Sequence, residues 1–272
     1  MKARPARPSG ALVVARVPAG RLAPEGRQRL ARLLASLLAH PDPTVRVDVL
    51  RRLAQLPLDD PGRALLPGLL AALGSALPDE VATAAVATFA TYTGRQADLV
   101  GRAVAMLLPR RRSLAVVVSQ LCGSAARDPE RMRPTVRAVL AALAADPLTV
   151  SLRVRLAVLA LPAAELAAWL TEVAVARELH ADALGAAVRA MDERALYRGP
   201  AALEPVELAL AASAGEGLRL IALNALVAAN GRVGVWTDAH LARLAAYRRD
   251  PSPLVAGAAQ FTFSLGVEEA GE

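Results

Sequence analysis

The chain has 272 residues, 54% hydrophobic and 21% charged, with a net charge of +7 and a mean hydropathy of +0.35. Aromatic residues make up only 3%, so a core must be filled with Ala, Leu and Val, which suits close-packed helices better than a β-sandwich. The longest run without an ionisable residue, Ala64 to Pro78, contains Pro67, Gly68 and Gly74 and falls short of the roughly 20 apolar residues of a membrane span.

Residues 1–23 carry Pro5, Pro8 and Pro18 between basic residues, which predicts a flexible basic arm. The short core Ala11-Leu12-Val13-Val14 is less than a signal peptide needs. From Glu25 onward helix is expected to follow helix. The pairs are placed at 25–39 and 44–56, 62–76 and 79–92, 96–108 and 112–125, 129–144 and 148–160, 163–178 and 181–192, 203–212 and 216–229, and 237–248 and 252–265. Turn signals separate them, among them Thr93-Gly94, Pro109, Asp128-Pro129, Asp146-Pro147, Pro162, Gly199-Pro200 and Asp250-Pro251. The only strand-like run, Val116-Val117-Val118, sits in helical surroundings.

The plainest helix follows Asp42-Pro43, where Asp caps and Pro is tolerated in the first turn. Val45, Val49, Leu53 and Leu56 form its apolar stripe. An apolar residue opens each second helix: Val45, Val81, Leu114, Val150, Leu184, Leu218 and Val255, at intervals of 33 to 37 residues. Such a period predicts stacked helix pairs that bury their apolar faces against their neighbours.

The run Leu218-Arg219-Leu220-Ile221-Ala222-Leu223-Asn224-Ala225-Leu226, after Pro205 and Ser213, resembles the second helix of HEAT (armadillo-like) repeats, with Val45-Arg46, Val49 and Leu53 next best. The helices at 79–92, 112–125 and 181–192 lack Arg after the anchor. The resemblance implies an all-α fold, a right-handed α-solenoid of about seven helix pairs over 24–266. An acidic tail is expected at 267–272. In that family the second helices line a concave face. Taking the residues three and seven beyond each anchor as outward-looking, the expected partner-binding strip is Val117, Leu121, Arg153, Ala157, Ala187, Met191, Ile221 and Ala225. It is small and apolar, as suits an amphipathic segment of a protein partner.

Motifs for catalysis do not emerge. His40, His180 and His240 stand far apart without ligand spacing, and no P-loop, dinucleotide fingerprint or nucleophile elbow is present. The paired His-Glu steps of HEAT-like metal hydroxylases are missing, and Trp169 lies in an apolar run that reads as packing. Cys122 is the only cysteine, so it reads as a buried small hydrophobe in a reducing, cytoplasmic setting. No catalytic residue, cofactor or metal site is assigned. The expected role is a non-enzymatic scaffold or regulatory module that binds a protein partner or an adjacent domain. The alternative is a nucleic-acid-binding solenoid, with Arg110-Arg111-Arg112 as candidate phosphate contacts. Lys2 is the only lysine and Ile221 the only isoleucine, so a compositional bias toward Arg accounts for much of the basic charge.

Overall fold

The computed structural model describes residues 22–54, 78, 81, 83–84, 97–231 and 236–262. Every regular element among them is helical, and none is a strand. Nearly all of the arm at 1–23, most of the helices at 62–76 and 79–92, and the tail at 267–272 lie outside the described residues. The contacts divide the chain into two compact units, Met1–Gln120 with Arg137–Ala142, and Leu121–Val136 with Leu143–Glu272.

In the first unit, α1 (Pro24–Leu37) packs on α2 (Pro43–Ala54) through Leu30, Leu34, Val45 and Val49. Helix α3 (Ala97–Met106) follows. A Cβ on its Gly101 would stand 2.9 Å from the Ala138 carbonyl oxygen, so only glycine permits this approach. Next come α4 (Arg111–Arg127), which absorbs the Val116–Val118 run, and α5 (Pro129–Leu143); of these, 111–120 and 137–142 belong to the first unit and 121–136 and 143 to the second.

In the second unit the helices are α6 (Val150–Ala160), α7 (Ala163–Val175), α8 (Ala181–Arg198), α9 (Glu204–Ala211), α10 (Glu216–Gly231), α11 (Asp238–Tyr247) and α12 (Pro253–Gln260). Alternate helices touch: α6 packs on α8, α8 on α10, α10 on α12, and α7 on α9. Of the seven anchors six are buried; Leu184 is half-buried.

The aspartates of the Asp-Pro steps cap as their chemistry dictates. Asp42 accepts the Thr44 N–H at 2.8 Å, Asp146 that of Leu148 at 3.0 Å, and Asp250 that of Ser252 at 2.8 Å. Helix α7 ends with Arg177 at φ 58; Glu178 N–H donates to the Val173 carbonyl and Arg177 N–H to that of Ala174, both at 3.0 Å. This paired closure is the Schellman arrangement, with arginine where glycine is usual. Helix α8 runs six residues past the expected 192 and stops at Gly199, φ 82.

Side chains then tie the helices together. Arg194 donates to the carbonyls of Val158 and Leu161, the latter at 2.8 Å, and Arg198 to those of Leu159 and Ala160, the latter at 3.2 Å. Two guanidiniums of α8 thereby close the C-terminus of α6. Between α9 and α11, buried Glu207 accepts the Tyr247 hydroxyl at 3.1 Å and faces Arg243 Nε at 3.2 Å, while Arg243 reaches Glu204 at 3.0 Å. Burial pushes the Glu207 carboxyl and the Tyr247 hydroxyl up from their ordinary values.

Arg219 of α10 grips the Asp250 carboxylate with two nitrogens, at 2.8 and 3.0 Å, and also donates to the Ser213 and Ala214 carbonyls. The Arg219 hydrogen bond holds Asp250 below its usual 3.8. A carboxyl whose folded pKa is depressed contributes stability at neutral pH and loses it as pH falls through that lowered value. Asp250→Ala is therefore expected to cost about 2 kcal/mol at pH 7 for the lost charge-assisted bonds. Urea unfolding at pH 7 and again below the lowered pKa checks this: the gap from the wild type should shrink in acid. A gap that does not change with pH would show that the pair contributes no charge-dependent stability.

Candidate functional site

The strip expected to face a partner is core. Val117 and Leu121 are 1% exposed, Arg153 is 8%, and Ala157, Ala187, Met191, Ile221 and Ala225 are 0%. The reason lies in the packing of α6, α8 and α10. Helix α6 touches α7 and α8, α8 touches α6 and α10, and α10 touches α7, α8, α9, α11 and α12, so much of each circumference is covered. Helical residues advance about 100° each, which puts positions three and seven beyond an anchor about half a turn from positions one and five. The latter are the ones that remain accessible: Ser151 and Arg155 on α6, and Gly185 and Arg189 on α8. Arg153 is held inward, its Nη1 donating to Glu178 at 2.8 Å and its guanidinium standing 5.7 Å from the Trp169 ring centroid. Trp169 thus has a cation on its ring, a pairing that stabilises the junction between α6 and α7.

The accessible face has its own chemistry. Arg155 crosses from α6 to Glu193 of α8, with Nη2 at 3.0 Å from Oε2, and both side chains are 33% exposed. One turn further along α8 stand Leu196, 60% exposed, and Tyr197, 48% exposed. On α10 the positions one and five beyond the anchor are Arg219, which grips Asp250, and buried Leu223, while Leu220, Asn224 and Val227 are half-buried. The group is amphipathic: an ion pair flanked by a tyrosine and aliphatic side chains.

Beneath it, Cys122 is buried and its thiol is pushed up to about 12, chiefly by burial, with Arg155 opposing. Such a thiol stays protonated and is a poor nucleophile at neutral pH. Two histidines bond to backbone through one ring nitrogen: His40 Nδ1 accepts the Asp42 N–H at 3.1 Å, and His240 Nδ1 that of Thr237 at 3.4 Å, closing a capping box. His180 sits at the N-terminus of α8.

Arg110, Arg111 and Arg112 follow the turn that contains Pro109. A turn at 107–109 ends α3, and the Arg110 carbonyl oxygen accepts the Leu114 N–H at 2.9 Å. Arg111 and Arg112 are exposed in the first turn of α4. They stand at the positive end of that helix dipole, not at the negative end of the preceding helix, where cations would be favoured.

Glu193, Leu196 and Tyr197 went unnoticed in the sequence because the second helix of their pair was ended at 192. The signal available was Gly199-Pro200, a helix stop seven residues further on. Neither a family model nor a curated protein nor a solved structure matches the chain.

Proposed function

We propose that the chain is a non-enzymatic scaffold or regulatory module, a right-handed HEAT-like α-solenoid that works in the cytoplasm and binds a protein partner or an adjacent domain. The observation that carries this reading is the accessible face of α6, α8 and α10, where Tyr197 and Leu196 flank the Arg155–Glu193 pair. Tyr and Arg are the residues that most often anchor protein interfaces, and a rigid helical row presents them without an ordering cost. The repeating contacts of α6 with α8, α8 with α10 and α10 with α12 support the solenoid, since each helix meets only near neighbours.

A photo-crosslinking amino acid placed at Tyr197, and separately at exposed Glu172 on α7, tests the face. A partner captured from 197 and not from 172 is then titrated against the wild type and Tyr197→Ala. The truncation should cost about 2 kcal/mol of binding, the scale of an interface hot spot. Equal capture at both positions, or an affinity that Tyr197→Ala leaves unchanged, would refute the assignment.

A further inference from the structure

The basic charge is not spread over the molecule. The unit made of 1–120 and 137–142 holds 18 Lys and Arg against 8 Asp and Glu, a net +10. The unit made of 121–136 and 143–272 holds 14 against 17, a net −3. A coding bias toward arginine would enrich both units and would not deplete one of them in carboxylates. The first unit has 8 acidic residues in 126 and the second 17 in 146, so the asymmetry owes as much to missing Asp and Glu as to added Arg. Charge set apart in this way marks a surface for a polyanion.

The side chains that carry it are displayed. Arg29, Arg32, Arg51, Arg102, Arg111 and Arg112 are exposed in the first unit. Arg29, Arg32 and Ser36 fall at i, i+3 and i+7 on the outer side of α1, opposite buried Leu30 and Leu34. Of the exposed arginines, Arg51 also stands 3.8 Å from Asp48, and in the second unit Arg153, Arg155, Arg194, Arg219 and Arg243 reach carboxylates or carbonyls of their own chain.

We propose that the first unit binds duplex nucleic acid through its phosphate backbone, a role beyond the protein-binding face of α6, α8 and α10. Several features select this polyanion. The cations are guanidiniums, whose planar forks match phosphate oxygens. Among the described residues of this unit no aromatic side chain offers a platform for stacking on unpaired bases; its Phe89 and Tyr92 lie outside them. Among its described residues Leu33 and Val116 are the only large exposed apolar side chains, so those residues offer charge rather than an apolar face. Binding of this kind is independent of base sequence.

Fluorescence anisotropy of the full-length chain with a labelled 20-base-pair duplex tests it. Binding should weaken roughly 40-fold between 50 and 200 mM salt if about three phosphates are neutralised, at about 0.9 counterions released per contact. Arg29→Glu with Arg32→Glu should lower affinity about tenfold or more and reduce the salt slope by about 2. Arg131→Glu with Arg189→Glu, exposed residues of the second unit, makes the same change in net charge and should alter affinity by less than about twofold, because screened charges act locally. Circular dichroism melts confirm that both pairs fold. Equal losses from the two pairs, no duplex binding at 50 mM salt, or binding to vesicles of anionic lipid without binding to duplex would each overturn the proposal.

Discussion

Ile221→Asp is expected to unfold the protein. Ile221 is 0% exposed on α10, the helix that packs between α8 and α12 and against α9. An aspartate there would be an unpaired buried charge, costing several kcal/mol against a total stability of roughly 5–15 kcal/mol. Val117→Asp, at a position 1% exposed on α4, should do the same. Ile221→Val, which removes one methylene and introduces no charge, should cost only about 1 kcal/mol. Circular dichroism melts of the three variants decide the matter. A folded Ile221→Asp with an unchanged melting temperature would mean that the face is open, as the repeat register predicts from sequence.

That register illustrates which parts of the molecule were legible. Helix positions followed from Pro, Gly and Asp-Pro punctuation, because those residues act on their own backbone: α1, α2, α5, α9 and α10 begin or end within about two residues of the expected limits. The inward stripe was legible too, since anchors such as Val150, Leu218 and Val255 are apolar and buried. The outward face was not. A residue such as Ala187 or Ala225 is equally compatible with a groove and with a helix contact, and only the neighbouring helix decides. Small side chains at those positions reflect how closely α6, α8 and α10 approach one another, not what they offer to a partner.

Arginine was misleading for a related reason. In sequence a guanidinium looks solvated wherever it stands. Yet Arg194 is 3% exposed and Arg153 8%. Long arginine stems pass over apolar neighbours and bring their heads to carbonyls or carboxylates one or two helices away in sequence. The distribution of charge between the two units was open to inspection in the sequence, but its meaning depended on knowing where one unit ends and the other begins.

The other large effect expected is that of Arg194→Ala. The last carbonyls of any helix lack partners within it. In α6 those of Val158 to Leu161 are buried, since these residues are all 2% exposed or less, so water cannot serve them. Arg194 and Arg198 do so instead, each reaching two carbonyl oxygens. Burial, with Arg198 nearby, lowers the Arg194 pKa to about 10. The side chain is therefore still a full cation at pH 7, and the negative end of the α6 dipole favours it. Removing it leaves two carbonyls bare at about 1–3 kcal/mol each and opens a cavity as well. A loss of about 4 kcal/mol is expected, or roughly 10 °C in melting temperature for a protein of this size. Arg194→Met restores most of the volume and none of the donors, so it should recover the cavity cost and leave about 2–3 kcal/mol of the loss. Arg194→Lys, with a compact head that cannot span both oxygens, should fall between Met and the wild type. Urea midpoints order the series, and amide exchange at 158–161 should quicken most in the alanine variant. If Arg194→Met were as stable as the wild type, the guanidinium would be filling space and the carbonyls would find other donors.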